Sequence, residues 1–248
     1  MLQKLWVLLM LAILLPLPGL GEATDGSAIP PEHAFINDVV FVGDSVTNQI
    51  RRYRTSMRNE GQEIFGSARF LSAGAYSLYL AGFEHALQDE PTLFYRGRNV
   101  GLGQGLAAMK AKKVYILLGL ADDPGLNPDR DRHRYTKMIS QIRRAVPDIE
   151  ITALSVTPIT ERGQSLKTTQ NGIDRFNVQL QSLCKELGIA FVDIATPLKN
   201  EAGYLDGALS SDKKVHLNED GLKILTETLH QYAREQLGID RVEREAQP

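Results

Sequence analysis

The chain has 248 residues, 43% of them hydrophobic and 23% charged, which suffices for one large core or two smaller ones and excludes intrinsic disorder as the overall state. Its 28 Lys and Arg against 30 Asp and Glu leave a formal charge of -2, too small a field to draw in nucleic acid or an anionic membrane surface. A single cysteine, Cys184, excludes an internal disulfide framework and a cysteine-rich zinc site, so packing has to hold the fold.

Lys4 supplies a positive head, Leu5 to Leu15 is unbroken hydrophobic, Pro16 and Pro18 interrupt it, and small residues follow at Gly19, Gly21 and Ala23. This order predicts a secretory signal peptide over 1–23, cleaved after Gly21 or Ala23. The alternative is a retained membrane anchor, for which the run falls short of the ~20 residues that span a bilayer. Residues 24–37 read as a leader, 38–238 as one domain and 239–248 as a frayed polar tail. The expected mature protein is exported, to a periplasm or beyond the cell, with no stable membrane insertion after cleavage.

Within 38–238, five short apolar runs alternate with helical patterns, which predicts an α/β fold: a three-layer α/β/α sandwich around a five-stranded parallel sheet. The first run, Val39 to Val42, leads into Gly43-Asp44-Ser45, so Ser45 falls where the sheet gives way to a helix. A serine there projects into the crevice beyond the strand ends, where N–H groups of the helix start face any negative charge that develops. Ser and Asp are also favoured helix caps, which is the plainer reading of the same residues.

The second run, Arg69 to Ala73, ends at Gly74. Gly101-Leu102-Gly103-Gln104-Gly105 lacks the spacing of a dinucleotide-binding loop and follows no predicted strand, so it reads as a helix start. The third run, Lys113 to Leu118, ends at Gly119-Leu120-Ala121-Asp122, and Asp122-Asp123-Pro124-Gly125 reads as a turn. A helix over Asp131 to Val146, a strand over Ile149 to Val156, a helix over Gln170 to Leu187 closed by Gly188, and a strand over Ala190 to Ile194 follow. A helix over Asn218 to Leu237, opened by an Asn cap, completes the domain.

A serine hydroxyl attacks an ester only if a base takes its proton. Of the five histidines, His216 alone lies in a loop that runs straight into a helix beyond the last strand. His33 precedes the sheet, and His85, His133 and His230 fall in helical patterns among polar neighbours, where they read as solvated surface. Asp212 stands four residues before His216, placed to accept the second imidazole N–H, with local charge balance against Lys213 and Lys214 as its other reading. No group of His, Asp and Glu has metal-ligand spacing, so no metal and no cofactor is expected.

Taken in order, Gly43-Asp44-Ser45, Gly74, Gly119 and His216-Leu217-Asn218 resemble the sequence blocks of the SGNH/GDSL hydrolase family, and Tyr95-Arg96-Gly97 resembles a segment of its exported bacterial members. The resemblance extends over nearly all of the exported chain. It implies a flavodoxin-like fold and serine esterase chemistry, with Ser45 as nucleophile and His216 as base, to which the residues' own spacing adds Asp212 as acid. The backbone N–H groups of Ser45 and Gly74 would be the first two oxyanion donors, and Asp44, Gly119, Ala121, Asp122 and Arg96 would face the substrate.

Two positions depart from the family pattern. Its third block is Gly-x-Asn-Asp, and here Ala121 replaces the residue whose side-chain amide would complete the oxyanion site. Its acid usually stands three residues before the histidine, a place held here by Lys213, with Asp212 one residue further back and Asp122 a distant second candidate for orienting His216. The implied activity is hydrolysis of a carboxylic ester on a small molecule or polysaccharide, such as an O-acetyl group. Lysophospholipase-like lipolysis and a catalytically weakened carbohydrate-binding protein are the alternatives. The sequence implies no nucleic-acid partner and sets no oligomeric state.

Overall fold

The computed structural model describes residues 29–239. The expected signal peptide over 1–23, with the anchor that is its alternative, lies outside the described residues, as does nearly all of the 239–248 tail. No helix among the described residues is long and apolar enough to cross a membrane.

The centre is an all-parallel sheet of five strands: β1 (Val39–Gly43), β2 (Arg69–Ser72), β5 (Lys113–Leu117), β6 (Glu150–Leu154) and β7 (Ala190–Val192), in the spatial order β2-β1-β5-β6-β7. This is the expected flavodoxin-like sheet, and each strand lies within the run that predicted it to within two residues at either end. Two of these runs lack alternation because both sheet faces are covered. Val40, Val42, Val114, Ile116 and Ala153 pack against α4 (Leu102–Ala108), α5 (Pro128–Ala145) and α6 (Gln170–Leu187). Val39, Phe41, Tyr115, Leu117 and Leu154 pack against α2 (Ser45–Asn59) and α7 (Glu219–Leu237). Burial on two faces is what makes parallel strands read as continuous hydrophobic runs.

Some elements went unread. Pro31–Ile36, inside the stretch expected to be a leader, is a short helix, α1, packed on α7, with Ile36 fully buried. That contact brings the N-terminal edge of the folded unit forward to at least Pro31. Its anchor corrects a second expectation. His230 is not solvated: it is 5% exposed, stacks on His33 at 4.1 Å and bonds to the Ile64 carbonyl at 2.6 Å.

The second unread feature is a hairpin of β3 (Leu93–Tyr95) and β4 (Arg98–Val100), turned by Arg96 at φ 48° and Gly97 at φ 82°. Two positive φ values in a two-residue loop match the twist of the flanking strands. The glycine-rich stretch after it does start a helix, α4, whose Gly101 N–H donates to Gln104 Oε1 at 3.1 Å. Its glycines serve contact: a Cβ at Gly105 would come within 2.6 Å of Leu71, and one at Gly103 within 2.9 Å of Ala145.

Sheet register positions the loops. Gly43 pairs with Ser72 on one side and Leu117 on the other, so β2, β1 and β5 end level with one another. The chain leaves β1 toward one neighbour and later returns to its other side, which makes the rim above β1 a topological switch point, where α/β sheets place their crevices.

Candidate active site

Ser45 opens α2. Asp44 caps the helix by accepting the Val46 N–H at 2.9 Å, and the first N–H groups of any helix have no intrahelical partner. The turn before it is tight: a Cβ at Gly43 would sit 2.0 Å from Thr47 Oγ1 and 2.5 Å from the Leu117 carbonyl, so only glycine fits. Asp44 is 4% exposed, and burial lifts its carboxyl to about 6, against the opposing pull of the Val46 N–H and of His216.

His216 comes from the opposite end of the domain, 171 positions along the chain, and its Nε2 lies 3.0 Å from Ser45 Oγ. Its Nδ1 lies 2.7 Å from Asp212 Oδ2. The other Asp212 oxygen accepts three successive backbone N–H groups, from Lys214 at 2.8 Å, Val215 at 3.0 Å and His216 at 3.1 Å. Burial works against this carboxylate, yet the bond to His216 and the three N–H groups outweigh it and hold Asp212 well below the usual carboxylate range. The loop's extra residue is absorbed by Lys213, which adopts a left-handed φ of 59°, so that Asp212 turns back onto the ring. Ser45, His216 and Asp212 therefore form one hydrogen-bonded chain, with about a third of the His216 and Asp212 side chains open to solvent.

The other predicted residues are distributed differently. Gly74 is exposed just beyond β2, and a Cβ there would meet nothing within 4 Å, so its face is open. Gly119 is buried at φ 136°, with Phe176 and Val156 at 2.9 Å from where a Cβ would stand. Ala121 is exposed and presents a methyl group. Asp122 makes no hydrogen bond to His216, whose Nδ1 is bonded to Asp212 instead. The Asp122 carboxylate, 4% exposed, accepts the Leu78 N–H at 2.7 Å and the Tyr79 N–H at 3.2 Å at the start of α3 (Leu78–Ala81), and pairs with Arg134 at 3.1 Å. Desolvation raises its pKa, against those three partners. Arg96 sits exposed in the hairpin turn with its guanidinium 5.4 Å from the Tyr95 ring centre.

Sequence reasoning missed Gln49, which lies one turn after Ser45 and bonds to Leu217 beside His216. It also missed Arg134 as the partner of Asp122. The i, i+4 spacing from Ser45 signalled only a shared helix face. Among the described residues, no group of three or more His, Cys, Asp or Glu could hold a metal ion.

The fold is similar to that of several solved structures. A GDSL-like lipase of Bacteroides thetaiotaomicron matches with TM-score 0.59 at 18% identity, over 80% of this chain and 88% of that one. An acetyl xylan esterase matches with TM-score 0.57 at 15% identity, over 78% and 98%. A carbohydrate esterase of family 3 from Talaromyces cellulolyticus matches with TM-score 0.54 at 15% identity, over 82% and 98%. At such identities the likeness concerns the fold. No curated protein matches the sequence. The GDSL-like lipase/acylhydrolase family, however, matches residues 41–224, from within β1 to within α7, and the chain belongs to that family of ester-hydrolysing enzymes.

Proposed function

We propose that the protein is an exported serine esterase that removes short acyl groups from an accessible substrate, such as O-acetyl groups on a polysaccharide. The carrying observation is the Ser45–His216–Asp212 chain, at 3.0 and 2.7 Å. In the proposed reaction His216 Nε2 takes the hydroxyl proton as Ser45 Oγ attacks the ester carbonyl. The tetrahedral oxyanion is held by the N–H groups of Ser45 and Gly74. Collapse transfers the proton to the departing alcohol and leaves an acyl group on Ser45. Water, deprotonated by the same imidazole, then releases the acid. Asp212 keeps Nδ1–H occupied, so that Nε2 is the free acceptor, and stabilises the imidazolium that forms.

Two features favour a bulky, hydrophilic substrate. The His216 and Asp212 side chains are each about a third exposed, which suits a polymer laid over the rim better than an acyl chain swallowed whole. The fold neighbours include an acetyl xylan esterase. The apolar run from Leu5 to Leu15 supports delivery outside the cytoplasm.

The test is p-nitrophenyl acetate hydrolysis together with fluorophosphonate labelling. Wild type should turn over and be labelled at Ser45, and Ser45→Ala should lose both, by roughly 10⁴-fold or more in rate. Equal rates in the two proteins would remove Ser45 from the mechanism. Polysaccharide binding by a wild-type protein that is never labelled would favour the carbohydrate-binding reading that Ala121 motivates.

A further inference from the structure

The structure assigns Gln49 as a positioning residue that fixes the His216 imidazole against Ser45, an inference that rests on the esterase reading. Gln49 lies four residues after Ser45 on α2, so the two share a helix face. Its Nε2 donates to the Leu217 carbonyl at 2.8 Å, and its Oε1 accepts the Leu217 N–H at 3.1 Å, across 168 positions of sequence. Leu217 directly follows His216 and is 1% exposed.

The opposite side of this segment is already occupied. Ser210 and Leu217 form an isolated antiparallel bridge, with Ser211 N–H donating to the His216 carbonyl at 2.9 Å and Asn218 N–H to the Leu209 carbonyl at 2.8 Å. In that pattern Leu217 is the non-hydrogen-bonded partner, so its own N–H and C=O point outward, as on a sheet edge. Buried and unpaired, the two groups would carry a penalty comparable to lost hydrogen bonds. One carboxamide satisfies both and acts as a one-residue strand. Its consequence is geometric. Asp212 fixes the rotation of the imidazole, but Asp212 belongs to the same loop and would travel with it. Gln49 is borne by the nucleophile's own helix, so its two bonds set the distance between loop and hydroxyl.

Gln49→Met keeps the length and apolar stem of the side chain and removes both bonds. With p-nitrophenyl acetate, kcat should fall tenfold or more while KM stays within twofold, and the rate of fluorophosphonate labelling should fall in step. A lower melting temperature with unchanged kcat and labelling, measured well below the transition, would overturn the inference and leave Gln49 a purely structural residue. Should the Met variant not fold, Gln49→Glu retains the acceptor for the Leu217 N–H, and an unchanged labelling rate there overturns it equally. If wild type neither hydrolyses the ester nor reacts with the probe, the esterase reading fails, and ¹⁵N NMR of His216 still decides the geometry. In Gln49→Met the Nε2 resonance should move toward its value in Ser45→Ala while the Nδ1–H bonded to Asp212 persists. An unmoved Nε2 would overturn the inference.

Discussion

The two halves of the crevice above β1 are built to different standards. On one side, Ser45, His216 and Asp212 are held by a continuous set of hydrogen bonds, in which Asp212 alone serves His216 and three backbone N–H groups. On the other, the rim from Gly119 to Asp122 presents a methyl at Ala121, while the adjacent carboxylate of Asp122 is spent on the α3 start and Arg134. The difference shows that two loops of one fold can spend a carboxylate differently, Asp212 on an imidazole and Asp122 on a helix start. Asp122 is buried and answers to packing, whereas residue 121 is exposed and carries no hydrogen-bonding side chain.

The comparison breaks most severely at Asp212. Asp212→Asn should lower kcat for p-nitrophenyl acetate by about 10³-fold, less than for a fully buried triad acid because the pair is partly solvated. A loss under threefold would mean that His216 is oriented by its backbone alone.

Asp44 makes the nucleophile side pH-sensitive in stability. Its carboxyl is raised to about 6 when folded, so the proton it binds favours the fold below the ordinary carboxylate value, and that contribution is lost as pH rises through about 6. Asp44→Asn has no such loss. Urea denaturation from pH 4 to 7 should show the variant gaining on wild type by about 2 kcal/mol and then levelling. A constant difference across that range would contradict the raised carboxyl.

The opposite rim should respond in stability rather than chemistry. Asp122→Ala leaves one buried and one part-buried N–H group and Arg134 without their acceptor and should cost about 2 kcal/mol of unfolding free energy. Labelling of Ser45 should continue in the variant that remains folded. Its abolition would tie Asp122 to the chemistry after all.

The smallest effect expected is a gain. Ala121→Asn restores a side-chain amide at the rim and should raise kcat by about tenfold, the lower end of what one oxyanion donor contributes being discounted for an exposed position. An unchanged kcat would mean that the oxyanion site is already complete.

Most of the fold was legible because its physical causes are local. Val39 to Val42 and Lys113 to Leu118 read as strands since both faces are covered, and Gly188 closes α6 in the left-handed conformation that a helix end favours. The hairpin at Leu93 to Val100 was not legible, because its strands are three residues each and Phe94, Arg98 and Asn99 are exposed. Nor was α1, since its six residues are held by packing on α7 and by the His33 and His230 stack.

The sequence by itself determined which residue types stand at the strand ends and in what order: a serine at a helix start, a histidine before the last helix, an aspartate four residues earlier and a methyl at 121. Only the tertiary structure decided that Lys213 takes up the extra residue, that Asp122 turns away to α3, and that Gln49 ties the two ends of the domain together. The physical reason is range. Strand and cap preferences act over a few neighbouring residues, while a 3.0 Å approach between groups 171 positions apart is set by sheet register and loop hydrogen bonds, which only the folded chain possesses.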